Sequence, residues 1–336
     1  MLDRRDALSG ASGREFPRWA VSDSAAAGGA TRTGDSARAA APRDLAAILV
    51  VSLLWGMNWP TLGLALRDLS PWTVRAFTLS LAGLLLLVYN IVRHNSLRVP
   101  RRDWPCLVAV TLLYIVLQNL MISYAQQLAP TGRMAIVTFT MPMWTTLLAA
   151  LLLGERINRT RVISLALGAG GLLALAWPAL NTDTHWGWLF ALFSAWCWAG
   201  STILIKRHPI DANALAVATW QLLIGGAIIS AGMFALEGVP TSRAISAAVA
   251  LSLVYNILSQ CISQVLWFGA LERLPAALAS LGVLLVPTVA VAGAALILGE
   301  RPTLLDGAGL LMITAASAIA QLAWLRGRAA DRKTRF

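Results

Sequence analysis

Apolar runs follow one another along most of the chain and are separated by short polar breaks. Most breaks carry proline, glycine, aspartate or arginine, which end helices or are too polar for lipid. A helix of about 20 apolar residues crosses the hydrocarbon core of a bilayer. We therefore predict an all-α integral membrane protein with ten transmembrane helices, at 45–66, 71–92, 104–126, 131–153, 160–178, 186–206, 213–236, 246–270, 276–298 and 303–325.

The two ends of the chain lack this pattern. Residues 1–43 are rich in Ala, Gly, Ser, Arg and Asp and have no sustained apolar period, which is typical of disorder. They also lack the apolar core of a signal peptide. We expect a disordered cytoplasmic tail at 1–43 and a basic cytoplasmic tail at 326–336.

Composition agrees with a membrane protein. The chain is 57% hydrophobic and 13% charged, whereas a soluble domain carries roughly 25% charged residues. The net charge of +11 does not indicate nucleic-acid binding, because the basic residues lie in tails and short loops. Cys106, Cys197 and Cys261 are scattered and show no metal-ligand spacing. We expect no metal, no cofactor and no nucleic-acid partner.

Lysine and arginine are unevenly divided between the predicted loops. With the N-terminus inside, ten basic residues fall on the inner side and five on the outer side, as the positive-inside rule describes. The inner set is Arg93, Arg98, Arg101, Arg102, Arg156, Arg159, Arg161, Lys206, Arg207 and Arg273, and the outer set is Arg67, Arg75, Arg133, Arg243 and Arg301. We therefore expect a multi-pass protein of the bacterial inner membrane with both termini in the cytoplasm.

The chain also contains an internal repeat. Residues 125–156 include AQQLAP, TMPMW and LLLGER, and residues 270–301 include ALERLP, LLVPTVA and LILGER in the same order. Earlier residues repeat as well: Gly83 matches Gly226, and Trp55 matches Trp198. The repeat divides the chain into units at 44–179 and 184–325.

Each unit holds five predicted helices. Since five is odd, the second unit enters the membrane from the opposite side, which gives an inverted repeat. Many transporters are built in this way, with the substrate site near the midplane between the halves. A duplication without a transport role is the alternative, but inverted duplication is uncommon in scaffolds and enzymes.

Three segments resemble a known family. WGMNW in the first helix, YAQQLAPTGRMAIVTFTMPMWTTLLAALLLGER in the first unit and FGALERLPAALASLGVLLVPTVAVAGAALILGER in the second are similar to motifs of the EamA family in the drug/metabolite transporter superfamily. The resemblance covers about residues 45–325. It implies ten helices, a central cavity open to one side at a time, and transport, often export, of amino acids or related metabolites. The family often has an arginine early in its second helix, where this chain has Thr78. The second repeat keeps the related glutamine as Gln221.

The first predicted helix carries Trp55, Asn58 and Trp59 on one face near mid-membrane. An unpaired polar group in hydrocarbon costs several kcal/mol, so this face should look into the bundle. It forms either a cavity wall or a packing face in which Asn58 bonds to a neighbouring helix. Trp198 and Ser201 hold the equivalent positions in the sixth helix.

A polar stripe runs along the eighth predicted helix. It consists of Gln260, Ser263, Gln264 and Trp267, spaced so that all four share one face. Its counterparts in the third helix include Gln118 and Asn119. We predict that the two stripes face each other across a substrate pathway. Hydrogen bonding between packed helices is the alternative.

Two central prolines occupy matching helices. Pro142 and Pro287 each remove a backbone donor, which leaves the carbonyls of residues such as Thr138 short of partners. Matching helix breaks point to a transporter's binding site, although a packing kink explains them equally well.

Two sets of charged residues have different predicted roles. Arg75 lies within an apolar span, where a charge is usually functional or paired. A role in binding a substrate carboxylate and snorkelling to the outer surface both stay open. Structural anchors are predicted at Gly154 and Gly299, which would end helices in left-handed turns, and at Glu155 and Glu300, which follow them.

These features favour transport of small metabolites such as amino acids, with export as the expected direction. The predicted cavity suits an amphipathic zwitterion or a weakly cationic solute. A receptor or lipid-handling scaffold is the alternative. An enzyme is not expected, because the chain lacks an HExxH metal motif and a GxSxG nucleophile elbow. No acidic residue falls at mid-membrane, which favours facilitated diffusion or coupling through another group. We expect a monomer or homodimer.

Overall fold

The computed structural model describes residues 42–154, 159–177, 185–238, 245–271 and 283–333. These residues form helices and short connections without any β-strand. The helices are α1 (Pro42–Ala65), α2 (Pro71–Val92), α3 (Arg101–Leu128), α4 (Thr131–Leu153), α5 (Arg159–Ala176), α6 (His185–Arg207), α7 (Ala214–Leu236), α8 (Ala247–Leu271), α9 (Leu285–Leu298) and α10 (Leu304–Lys333).

Eight of the described helices, α1 to α8, are long and apolar enough to cross a membrane. The chain is therefore an all-α, multi-pass membrane protein. The apolar parts of α9 and α10, Leu285–Leu298 and Leu304–Ile319, are shorter. The ninth predicted span begins at 276, and its first residues lie outside the described part of the chain.

The predicted tails differ in part from the structure. α1 begins at Pro42, inside the tail predicted at 1–43, and residues 1–41 lie outside the described residues. At the other end, α10 continues to Lys333, so the basic segment that starts at 326 is helical over most of its length.

Local sequence signals explain where several helices begin and end. Ser70 caps α2, because its Oγ accepts the Thr73 amide at 3.1 Å, and Pro71 occupies the first turn, where no backbone donor is needed. Asn213 caps α7 by accepting the Leu215 amide at 2.9 Å. Gly154 ends α4 with φ +67°, the left-handed turn that glycine adopts without strain.

The helices pack in pairs. α2 lies against α7, α1 against α8, α3 against α6 and α5 against α10, while α9 packs on α1 and α4, and α4 packs on α6. Glycine permits the closest of these contacts. A Cβ on Gly83 would lie 3.1 Å from the Leu222 backbone carbonyl carbon, and one on Gly226 would lie 2.9 Å from the Ser80 backbone nitrogen. The repeated glycines therefore set the α2–α7 crossing.

Two opposite ends of the bundle can be distinguished by the loops that meet there. At the first, which we call the α1–α2 end, Ser70 Oγ bonds to Glu237 at the end of α7, and Arg67 reaches the Leu298 carbonyl at the end of α9 (3.1 Å). At the second, the α2–α3 end, the Asp211 amide after α6 donates to Asp103 at 3.0 Å. α1 and α6 therefore run in opposite directions.

Two helices depart from a regular α-helix near the bundle centre. α4 consists of Thr131–Thr138 and Met141–Leu153, joined by a turn at Phe139 and Thr140. α3 contains a π-helical turn at Leu112–Leu117. Breaks and π-turns of this kind are frequent at functional sites, and both lie beside the cavity described next.

Candidate functional site

A central cavity of about 120 Å³ lies among α1, α2, α3, α4, α6, α8 and α9. Its wall combines polar and aromatic side chains with a few aliphatic ones. The lining residues are Trp55, Asn58, Trp59, Leu62, Arg75, Tyr114, Ile115, Gln118, Asn119, Ile122, Gln126, Phe139, Trp198, Asn256, Gln260, Gln264 and Val286. No aspartate or glutamate is among these described residues.

A second cavity of about 180 Å³ adjoins the first and shares Trp55, Tyr114, Trp198 and Gln264 with it. It extends past α6 and α7 to Ile210, in the loop at the α2–α3 end. The two cavities therefore lie side by side, and the second extends from the middle of the bundle toward that end.

The predicted face of α1 lines the central cavity. Trp55 packs on Trp267 of α8 with ring centroids 5.4 Å apart, and Trp59 is buried beside it. Asn58 Oδ1 is buried and has no hydrogen-bond partner in the part of the chain that the structure describes. An orphaned amide oxygen is uncommon in a folded interior, and here it belongs to a side chain that borders an open space.

Arg75 is buried in α2 and also lines the central cavity, with 9% of its surface exposed. Its Nε donates to Ser123 Oγ of α3 at 2.8 Å, and Ser123 Oγ in turn donates to the Asn119 carbonyl at 2.8 Å. Among the ion pairs of the described residues, none includes Arg75. The structure thus places a positive charge in the interior, and no carboxylate of the described part of the chain pairs with it.

The π-turn of α3 positions the predicted polar pair of that helix. Asn119 Nδ2 donates to the Tyr114 carbonyl at 3.1 Å and to Gln118 Oε1 at 2.9 Å. The carbonyl of Tyr114 is five residues back, the spacing that a π-turn provides. Gln118, Asn119 and Tyr114 all border the cavity as a result.

The stripe on α8 is divided between the cavities. Gln260 and Gln264 line the central cavity, and Gln264 and Trp267 line the adjoining one. Ser263 lines neither, because its side chain is completely buried against other helices, where Oγ has no partner. The structure therefore brings residues of the α3 and α8 stripes to one space, with Ser263 as the exception.

The sixth and seventh helices contribute the remaining predicted residues. Trp198 borders both cavities and packs on Tyr114 and Phe139, with ring centroids 5.8 and 6.0 Å away. Ser201 and Gln221 line the adjoining cavity. Ser201 Oγ already donates to the Trp198 carbonyl at 2.7 Å.

Besides Ser263, three residues that were predicted for the pathway do not line it. Thr138 is fully buried, and its hydroxyl lies 3.2 Å from Ser194 Oγ of α6. Pro142 occupies the first turn of the second part of α4, where a missing donor is tolerated. Pro287 is buried near the start of α9. The break in α4 instead brings Phe139 to the cavity.

The predicted anchors Gly299 and Glu300 lie at the α1–α2 end, whereas Gly154 ends α4 at the opposite end. Gly299 ends α9 in a left-handed turn with φ +74°. Glu300 then accepts the backbone amides of Thr131 at 2.6 Å and Gly132 at 2.9 Å, at the start of α4. A carboxylate is favourable there because unpaired amides and the helix dipole both attract negative charge. Glu155 lies outside the described residues.

An ion pair lies beside this contact. Arg133 Nε is 2.5 Å from Asp306 Oδ1 of α10, and Asp306 also accepts the Thr303 amide at 2.7 Å. α4, α9 and α10 are therefore tied together at the α1–α2 end.

Sequence reasoning missed two polar residues of the wall. Asn256 lies one helical turn before Gln260, so the α8 stripe could have been extended to it. Its Nδ2 donates to Thr61 Oγ1 at 3.0 Å and to the Ser252 carbonyl at 2.8 Å. Tyr114 gave no such signal, because the π-turn that directs it inward depends on packing.

Comparison with known proteins decides the family. The model of the EamA-like transporter family matches residues 44–177 and again 185–321. The chain belongs to the EamA-like transporter family. This confirms the resemblance found in the sequence, and membership of this family points to a transporter.

Curated relatives agree with this assignment. The chain is 24% identical to the uncharacterized transporter YoaV of Bacillus subtilis over 269 residues, which cover 79% of this chain and 92% of YoaV. It is 26% identical to a probable amino-acid metabolite efflux pump of Escherichia coli over 290 residues, covering 81% and 92% of the two chains.

A solved crystal structure shares the fold. It superposes with a TM-score of 0.59 at 20% identity and covers 83% of this chain and 98% of its own.

The described residues contain no cluster of three or more side chains that could hold a metal ion.

Proposed function

We propose that this EamA transporter moves small metabolites such as amino acids across the bacterial inner membrane by alternating access, with export as the physiological direction. One observation carries the proposal. A cavity with polar and aromatic walls lies in the middle of the bundle and continues toward one end, while the other end is tied by charged contacts. An amino-acid efflux pump among the relatives supports the substrate class.

The packing supports a pair of inverted five-helix repeats. An inverted repeat relates each helix of α1–α5 to the helix five positions later in α6–α10. Under this relation the contact α1–α8 corresponds to α6–α3, and the contact α1–α9 corresponds to α6–α4. All four contacts occur. The pairs α2–α7, α5–α10 and α4–α9 map onto themselves. The opposite directions of α1 and α6 agree with inversion, and the two matches to the family model agree with duplication. We include α9 and α10 as the ninth and tenth membrane spans.

The distribution of basic residues supports the orientation. The α2–α3 end carries Arg98, Arg101, Arg102 and Arg207 in its loops or helix ends, and positive loops stay in the cytoplasm. Both termini would then be cytoplasmic. The cavity would be reached from the cytoplasm in this conformation, as an exporter requires for loading.

Contacts at the α1–α2 end would keep the periplasmic side closed. Glu300 holds the start of α4, the Arg133–Asp306 pair holds α10, and Arg67 bonds to the end of α9. Opening this side would require these contacts to break while the opposite end closes. Such exchange between two packings is the common route of alternating access.

Flux through the purified protein tests the proposal. Full-length protein would be reconstituted in liposomes, and uptake of a panel of radiolabelled amino acids compared with empty liposomes. We expect faster uptake of at least one of them, reduced about tenfold by Gln264→Ala and by Asn119→Ala. Gln127→Ala serves as the matched control, since Gln127 is exposed and bonds only to the Leu66 carbonyl at 3.4 Å. Flux equal to that of empty liposomes across the panel would refute the proposal.

A further inference from the structure

The charge of the central cavity wall points to the charge of its ligand. Arg75 is the one lining residue with a formal charge among the described residues of both cavities. It is more than nine-tenths buried, and no carboxylate of the described residues pairs with it. A buried charge without a partner is strongly unfavourable, so a ligand that brings one negative charge would neutralise the site.

Two further groups on the same wall lack partners. Gln126 Nε2 is a buried donor and Asn58 Oδ1 a buried acceptor, and neither forms a hydrogen bond with any described residue. Both residues line the central cavity. With Arg75 they present two donor groups and one acceptor. A carboxylate complements the donors, and one O–H or N–H group complements the acceptor.

The aromatic side of the path sets the shape of the rest of the ligand. Trp55, Tyr114 and Trp198 border both cavities and offer ring surfaces against which an aromatic or large apolar group can stack. These rings lie between the polar wall and the α2–α3 end. A ligand could therefore place its carboxylate at Arg75 and its apolar body toward Trp198.

We propose that the cavity binds a monoanionic carboxylic acid with an aromatic body and a neutral hydrogen-bond donor, such as an aromatic 2-hydroxy acid, in preference to the zwitterionic amino acid of the same shape. The inference deepens the proposed function and rests on it. A zwitterion would leave the site with its net positive charge. Its ammonium group would also lose water without meeting a carboxylate on the described walls, and burying such a group is costly.

This preference reverses the expectation from the sequence, which favoured a zwitterion or a weak cation. The reason is the position of Arg75. From sequence alone its side chain could equally reach the outer surface, whereas the structure holds Nε against Ser123 and the guanidinium at the cavity.

A matched pair of ligands tests the inference. L-3-phenyllactate and L-phenylalanine share a carbon skeleton. Phenyllactate has a hydroxyl group at the position where phenylalanine has an ammonium group. Their affinities for purified full-length protein would be measured by isothermal titration calorimetry. We expect phenyllactate to bind at least tenfold more tightly. Phenylpropionate, which lacks the hydroxyl, should bind severalfold more weakly than phenyllactate because Asn58 then stays unpaired.

Variants separate the effect of charge from that of folding. Arg75→Gln should lower the affinity for phenyllactate at least tenfold and remove the preference, whereas Arg75→Lys should retain a preference for the anion. Arg98→Gln, which removes an exposed arginine in the α2–α3 loop, should change neither affinity. Gel filtration would establish whether each variant is folded. If Arg75→Gln does not fold, Arg75→Lys still tests the inference.

The outcomes also distinguish the inference from the proposed function. Equal or tighter binding of phenylalanine, or a preference that persists in Arg75→Gln, overturns the inference and leaves transport of amino acids standing. Absence of binding by all three compounds overturns the inference as well. The proposed function falls with it only if the amino-acid panel also fails to cross the membrane faster than in empty liposomes.

Discussion

Arg75 of α2 donates from Nε to the hydroxyl of Ser123 on α3 across 2.8 Å. The contact fixes the guanidinium at the cavity wall and links two helices that approach each other there. A hydrogen bond from a charged donor contributes about 1.5–3 kcal/mol. The position of the interior charge therefore depends on a serine that carries no charge itself.

Loss of this serine should weaken substrate binding. In Ser123→Ala the guanidinium loses its anchor and gains rotational freedom, so we expect the concentration for half-maximal uptake to rise about tenfold, in line with a loss of about 1.4 kcal/mol. Uptake in proteoliposomes measures it. Ser96→Ala, in the exposed α2–α3 loop, should behave as wild type. An unchanged half-maximal concentration in Ser123→Ala would show that the bond does not position Arg75 for binding.

Weakening the contacts at the α1–α2 end should favour its opening. Glu300→Gln keeps the shape of the side chain but removes the charge that strengthens its bonds to the Thr131 and Gly132 amides. In a variant without native cysteines and with Leu62→Cys in the cavity wall, we expect an impermeant maleimide added on the side of the α1–α2 end to react about tenfold faster.

The neighbouring residue supplies the control for this experiment. Arg301→Gln removes an exposed charge one position away and should leave the labelling rate unchanged. If Glu300→Gln labels no faster than its parent, the bonds of Glu300 do not hold this end closed.

The α2–α7 crossing should tolerate no side chain at Gly226. A Cβ there would lie 2.9 Å from the Ser80 backbone nitrogen and Cα, so the helices would have to separate. Overpacking of this kind costs about 1–3 kcal/mol, and we expect Gly226→Ala to lower the Tm by several degrees. Gly307→Ala is the matched control, because a Cβ at Gly307 meets nothing within 4 Å. Equal Tm values for both variants would contradict this packing.

The turn that precedes Glu300 should require glycine. Gly299 has φ +74°, and a side chain in this region costs about 1–2 kcal/mol. Gly299→Ala should therefore lower the Tm, and Gly299→Asn should lower it less, because asparagine tolerates this conformation better. Thermal unfolding followed by tryptophan fluorescence measures both. A Tm for Gly299→Ala at or above that of wild type would argue against the left-handed turn.

Helix ends and membrane character could be predicted from the sequence because local signals determine them. The predicted spans 71–92 and 131–153 coincide with Pro71–Val92 and Thr131–Leu153. Ser70 with Pro71 at one end and Gly154 at another act within a few residues of the backbone they terminate. Long uncharged runs likewise predict burial, because such runs are covered either by lipid or by a protein interior.

The cavity could be predicted only in part because its details depend on packing. The spacing of Gln260 and Gln264 placed both on one face, and that face borders the cavity. The inward direction of Tyr114 depends on a π-turn in α3, and Phe139 reaches the wall through the break in α4. The π-turn has no local sequence signal strong enough to specify it. The break in α4 has a local signal in Pro142, but the direction in which Phe139 then points depends on the neighbouring helices.

The central claim is that solute passes through the cavity between the two repeats. Modification of one wall residue tests it most directly. With Gln264→Cys in a variant without native cysteines, a methanethiosulfonate reagent should abolish the uptake that this variant retains in proteoliposomes, and saturating substrate should slow the modification. The same reagent should leave Gln127→Cys active. Complete modification at position 264 with undiminished uptake would contradict a pathway through this cavity.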